Sequence, residues 1–194
     1  MHGQEAGDTI KAVNFNRRVV FSSSVSFGNS QENTAYILNN GLIAFGNDIT
    51  LGDPNIEYSF SQKQRIIAPF WANVDPNGVE VHHHLYEQYG AAAFGESEDN
   101  KPPPHQSNIT TRVETDISKF HHLEGFTASS VLVVTWVSAR PLTTSQTTEN
   151  NTFQAVFVSG WKSESNGGMT LAENETSFVI YIYQQGKMNW KFIP

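Results

Sequence analysis

Along most of this chain apolar residues recur at every second position, in short runs cut off by Gly, Pro, Asn and Asp. Such a pattern alternates side chains between two faces, so it commits the chain to strands. In "NFNRRVVFSSSVSFG" the residues for the inside are Val19, Phe21, Val25 and Phe27. In "AYILNNGLIAFG" two apolar runs flank Asn39-Asn40-Gly41, residues that tolerate the positive φ of a tight hairpin. "NDITLGDPNIEYSFSQ" then reads as a loop, and "RIIAPFWANV" as a strand. Pro69 has no N–H, which predicts a bulge or an edge there. "DPNG" at 75–78 is a turn, with Pro76 fixing φ and Gly78 able to turn left-handed. "VEVHHHLYEQY" is the next strand. "SSVLVVTWVSA" is nearly continuous in apolar and β-branched residues, as in a central strand covered on both sides. "NTFQAVFV", "TSFVIYIY" and "KMNWKFI" complete the series, the last two joined through Gln184-Gln185-Gly186.

The period changes once. In "TTRVETDISKFHHL" the apolar residues Val113, Ile117 and Phe120 fall on one helical face, and Thr111 with Glu114 fits a capping box. One helix is therefore expected near residues 111–121, preceded by an exposed, proline-rich loop over 90–108. The fold class that follows is β-rich α+β: antiparallel sheets, sandwich-like, with one helix.

At 194 residues the chain suits a single domain whose core needs no staples. The net charge is −7 with no basic stripe, which argues against nucleic acid as a partner. No apolar stretch approaches the ~20 residues of a membrane span. Cysteine is absent, and the start has no apolar core of the signal-peptide kind. The chain stops on a strand-like run, so a cut C-terminus is expected. Three N-x-Ser/Thr sequons occur, at Asn108, Asn150 and Asn174, the last two in polar connections.

Five segments in this order, "YILNNGLIAFG", "IIAPFWANVD", the helix leading into "VLVVTWV", "NTFQAVFV" and "YIYQQGKMNW", resemble the nidogen-like (NIDO) module of nidogens, tectorins and some membrane mucins. The resemblance runs from about Val19 to Trp190, so residues 1–194 read as one such domain. It implies a non-catalytic extracellular module of a larger cell-adhesion or matrix protein, secreted or in a membrane protein's ectodomain. Its partner would be an extracellular protein or matrix component, with no insertion of this domain into a membrane. The resemblance carries over no catalytic residue and no cofactor. Two departures stand out: Asn73 replaces the Asp common in the family, and the glycine-rich stretch that usually follows the position of Trp190 is missing.

Each group with chemistry has a competing, structural reading. In "IIAPFWANVD" alternation sets Ile66, Ala68, Phe70 and Ala72 against Ile67, Pro69, Trp71 and Asn73, so both faces are apolar and the run fills a core. Asn73 and Asp75 at its exit cap the turn, or serve calcium together with Asp48, Asp53 and Glu57. In "VEVHHHLY", Glu80, His82 and His84 share a face and could hold zinc with His105, His121 or His122, giving a metal-dependent enzyme as the alternative function. Otherwise they form a solvated strand face. No G-x-S-x-G elbow or phosphate loop exists, and Glu96, Glu98 and Asp99 read as a solvated run. Tyr181, Tyr183 and Trp190 alternate on late strands, as sheet cover or as the stacking surface of a carbohydrate-binding sandwich.

Overall fold

The computed structural model describes residues 16–46, 65–88, 104–142, 150–162, 165–166, 169–170 and 174–184. Strands β1 (Asn16–Phe27), β2 (Ser30–Leu38), β3 (Leu42–Phe45) and β4 (Arg65–Ile67) form one antiparallel sheet in that order. A second antiparallel sheet runs β10-β7-β6-β5, from β5 (Glu80–Glu87), β6 (Phe126–Ala139), β7 (Asn151–Lys162) and β10 (Asn174–Tyr183). Between β7 and β10 in the chain, β8 (Ser165–Asn166) and β9 (Met169–Thr170) make a small ribbon.

The sheets pack face to face over one core. Phe21, Phe27 and Phe45 of the first sheet meet Phe157 of the second, with the Phe27–Phe45 and Phe45–Phe157 centroids 4.8 and 4.9 Å apart. These are the contact distances that favour aromatic pairs. Val19, Phe21 and Val25 are buried and Phe27 partly so, as the alternation of β1 requires. The outer face of the second sheet has its own apolar layer. Val131, Val133, Val156 and Val158 pack there beneath Val113 and Ile117 of helix α1 (Pro104–His121). The architecture is thus sheet, sheet, helix, and β6 lies in the middle, covered on both sides.

The two sheets cross at a steep angle. Glu87, Ser130, Ser159 and Ser177 are mutual partners across β5, β6, β7 and β10, and so mark one rung of the second sheet. Ser22 in β1 donates to Glu87 at one end of that rung, with its backbone N 2.7 Å away. Ser177 at the other end donates its hydroxyl to the carbonyl of Ser26. Three strand spacings are ~14 Å and four residues of strand ~13 Å. β1 therefore runs along the rung, nearly perpendicular to the strands beneath it. The register slip between Val20 and Val25 accommodates this crossing.

The Asn39-Asn40-Gly41 hairpin forms as expected, with Leu38 opposite Leu42. Gly41 is required twice over. Its φ is +88, and a Cβ there would sit 1.9 Å from the carbonyl oxygen of Phe70. A second hairpin at Gly28-Asn29, with Gly28 at φ +60, closes β1 onto β2. The helix departs from expectation at its start. It begins at Pro104, not near 111, because proline suits the first helical turn, where its missing N–H costs nothing. Residues 104–108 are therefore helix, not loop, and Thr111 and Glu114 form no capping box. Thr111 instead accepts a bond from the Thr115 hydroxyl, and Glu114 accepts the backbone N–H of Ala128 at the mouth of β6. Phe120 is 67% exposed, outside the buried stripe of Thr110, Val113 and Ile117. Lys119 and His121 lie in the last turn, where cations complement the helix dipole.

Gly41→Ala is expected to cost about 3 kcal/mol, through strain and collision together. That corresponds to a fall of roughly 10 °C in melting temperature for a chain this size. Gly28→Ala adds a Cβ with nothing within 4 Å, so thermal unfolding should show it losing about a third as much.

Candidate functional site

The "IIAPFWANVD" segment is strand for only three residues. Pairing with β3 stops at Ile67, ahead of the proline that cannot continue it. The alternation then breaks. Ile67, Phe70 and Ala72 face the sandwich core, while Ile66 and Trp71 pack with Leu38, Leu42 and Ala44 on the outer side of the first sheet. Phe70 lies 5.4 Å from Phe153, and the N–H of Ala72 donates to the carbonyl of Asn40. Trp136 stacks on Phe153 at 5.2 Å and donates its Nε1–H to the carbonyl of Leu38 at 2.8 Å. The segment is a half-buried strap that runs from the first sheet to the exit of β6.

Asn73 and Asp75 follow it and pair with the exit of β6. The carbonyl of Asn73 accepts the N–H of Leu142, Val74 bridges Pro141, and the N–H of Asp75 donates to the carbonyl of Arg140. The Asp75 carboxylate takes the backbone N–H of Asn77 at 2.9 Å and the Arg140 guanidinium at 2.8 and 2.9 Å. The Asn77 N–H, the largest influence, together with Arg140 holds its pKa below the usual carboxylate value, against the opposing effect of burial. Gly78 has no positive φ among the described residues, contrary to expectation. Its role is space: a Cβ there would lie 2.2 Å from Nε of Arg140, whose stem crosses the turn to reach Asp75. Of the calcium candidates, Asp75 is thus engaged by a cation of the chain, and Asp48, Asp53 and Glu57 lie outside the described residues.

The histidine strand is β5. Val81 and Leu85 point into the sandwich, and Tyr86 joins the layer under the helix. Glu80, His82 and His84 therefore share the helix side, as alternation dictates. Glu80 and His82 meet, Oε1 to Nε2 at 3.3 Å, while the His84 ring lies 4.2 Å from that of Tyr86. His82 is 5% exposed and buried with its cross-strand neighbour Thr135 and with Gln154, whose amide donates to the Thr135 hydroxyl. This is no solvated face. Among the described residues no group of three or more His, Asp or Glu gathers as a metal cluster. His121 packs its ring on Phe178, 4.9 Å away. The side chain of His105, like Glu96, Glu98 and Asp99, lies outside the described residues.

Two carboxylates that the sequence did not mark hold the sheets together. Glu175 on β10 accepts from the N–H of Ser26 at 3.2 Å, the Gln31 amide at 3.0 Å and the Ser159 hydroxyl at 2.9 Å. Glu87 holds Ser22 at the opposite edge. Their partners on the first sheet lie 65 to 149 residues away in the chain, so no local pattern could reveal them.

Tyr181 and Tyr183 sit on β10, an edge strand among the described residues, and are each 44% exposed. The hydroxyl of Tyr183 donates to the carbonyl of Pro69 at 2.8 Å. Burial, and then the neighbouring Tyr183, raise the Tyr181 pKa, against a bond to the backbone of Ala68. Both hydroxyls thus reach the strap while the residues stay partly exposed. Ile182 between them is also exposed, and Trp190 lies outside the described residues. Of the sequons, Asn108 lies in the helix, exposed, and Asn150 lies exposed just before β7. Asn174 opens β10 and is paired with Lys162, so it belongs to a strand and not to a connection.

Asp75→Asn tests the turn. A depressed carboxylate stabilises above its unfolded pKa, about 3.9, and loses that contribution as pH falls through the folded value. Because the pair is half exposed, the expected loss at pH 7 is about 1 kcal/mol. Urea unfolding should show the gap between wild type and Asp75→Asn narrowing as pH falls below about 3.9.

Comparison with known proteins follows the same geometry. The model of the family described as nidogen-like domain matches residues 33–192. Mouse mucin-4 is 26% identical over 199 residues, covering 97% of this chain and 5% of that protein. Mouse alpha-tectorin is 33% identical over 158 residues, covering 81% of this chain and 6% of that protein, and human alpha-tectorin is 32% identical over the same length and shares. The chain thus spans a small fraction of these relatives. No solved structure matches it. No helix among the described residues is long and apolar enough to cross a membrane.

Proposed function

Because the chain belongs to the nidogen-like domain family and is an extracellular module, we propose that it works without catalysis, as an adhesion module that binds another extracellular protein or matrix component. One observation carries this reading: Tyr181 and Tyr183, exposed on one face of β10, an edge strand among the described residues. Partly exposed tyrosines with anchored hydroxyls lose little side-chain entropy when a partner covers them, and tyrosine is enriched at interface centres. Among the described residues, four carboxylates serve the architecture. Asp75 closes a turn, and Glu87, Glu114 and Glu175 tie strands and helix together.

The test is the substitution Tyr181→Ser in the secreted domain. Plate binding to extracellular-matrix preparations should weaken at least tenfold, while the melting temperature moves by no more than a few degrees. Unchanged binding by the folded variant would remove the edge from the interface. Turnover of a peptide or glycan substrate by the purified domain would remove the non-catalytic reading.

A further inference from the structure

We infer that Asn150 is an N-glycosylation acceptor and that Asn108 is not. The inference needs only that the chain passes through the secretory route, as an extracellular module does; it is independent of the contact proposed for β10. All three sequons satisfy the tripeptide rule, and the sequence separates them only by placing the last two in polar connections. Their conformations differ, and conformation decides whether asparagine and the hydroxyl two residues on can be presented together.

At Asn108 they cannot. Asn108 and Thr110 lie within α1, where two residues subtend about 200° around the axis. Asn108 is exposed, whereas Thr110 is 5% exposed and faces the sheet. In the folded protein the tripeptide is therefore wound up with its two recognition groups on opposite sides.

At Asn150 the chain is extended. Asn150 immediately precedes β7, and Thr152 lies within it. In the finished fold the Thr152 hydroxyl accepts the N–H of Ser138 and its carbonyl accepts that of Gln184. The second bond, like the whole β7–β10 ladder, needs residues made after the sequon. Synthesis at ~5–20 residues per second leaves that edge of β7 unpaired for a second or more, and non-local pairing forms late in any case. The tripeptide thus stays open and extended while it can be modified.

The folded protein also has room for the sugar. Asn150 is exposed, and Ala139 opposite Asn151 places it beside Arg140, at the end of the second sheet. Strand alternation sets Asn150 on the face opposite Phe153, and so opposite Tyr181 and Tyr183. A glycan there leaves the two tyrosines open.

The experiment is secretion of the wild-type chain, behind a leader peptide, from mammalian cells. The purified protein is cleaved with peptide-N-glycosidase in heavy-oxygen water, digested and read by mass spectrometry. The peptide holding Asn150 should carry the heavy-oxygen aspartate mark in most molecules, and the peptide holding Asn108 should not. An unmarked Asn150, or a marked Asn108, overturns the inference. Because the wild-type chain is used, failure of a variant to fold cannot blur the result. Asn150→Gln, if secreted, should lose one glycan's mass on a gel, and retention of that mass would count against the assignment.

Discussion

Everything in this fold depends on β6 having no polar side. Leu132, Val134 and Trp136 point one way, Val131 and Val133 the other, and all are buried. Each fully buried side chain of this size is worth about 1.5–3 kcal/mol, so neither face can be left in water. The first sheet covers one face and the helix covers the other. Short loops, turn types and even the helix's poor apolar stripe are tolerated because this double cover sets the layers.

Trp136 shows how the covering is made specific. A tryptophan is large enough to fill the end of the sandwich, but its indole N–H must find an acceptor when buried. The carbonyl of Leu38, at the end of β2, provides it. That contact locates the Asn39-Asn40-Gly41 hairpin over Phe153. Gly41 lets the hairpin approach so closely that the strap carbonyl of Phe70 fits against it. The strap in turn offers Pro69 and Ala68 to the tyrosines of β10. A chain of contacts thus connects the centre of the core to Tyr181 and Tyr183 on β10, an edge strand among the described residues.

Polar groups in this domain act as ties between elements distant in sequence. Glu87 and Glu175 clip β1 at opposite edges of the sheet it crosses, and Glu114 joins the helix to β6. Hydrogen bonds to a charged acceptor are roughly twice as strong as neutral ones. They fix a perpendicular crossing that apolar contact alone, being non-directional, would leave free to rotate. The serines of "FSSSVSFG" supply the donors at this crossing, where no sequence pattern signalled a use for them.

The sequence by itself determined the strands of β1, β2, β3, β5, β6 and β7, the Gly41 hairpin, the double burial of β6 and the family. The strands, the hairpin and the double burial follow from the period of the side chains or from one residue's allowed φ, both local properties, whereas the family follows from the order of five motifs. The helix start was missed because proline reads as a loop signal when its position within the turn is unknown. Only tertiary structure decided that Gly78 makes room for Arg140, that Glu80 and His82 meet while His84 lies against Tyr86, and that Glu87 and Glu175 clamp β1. These depend on which distant segments are brought together, and periodicity carries no information about a partner a hundred residues away.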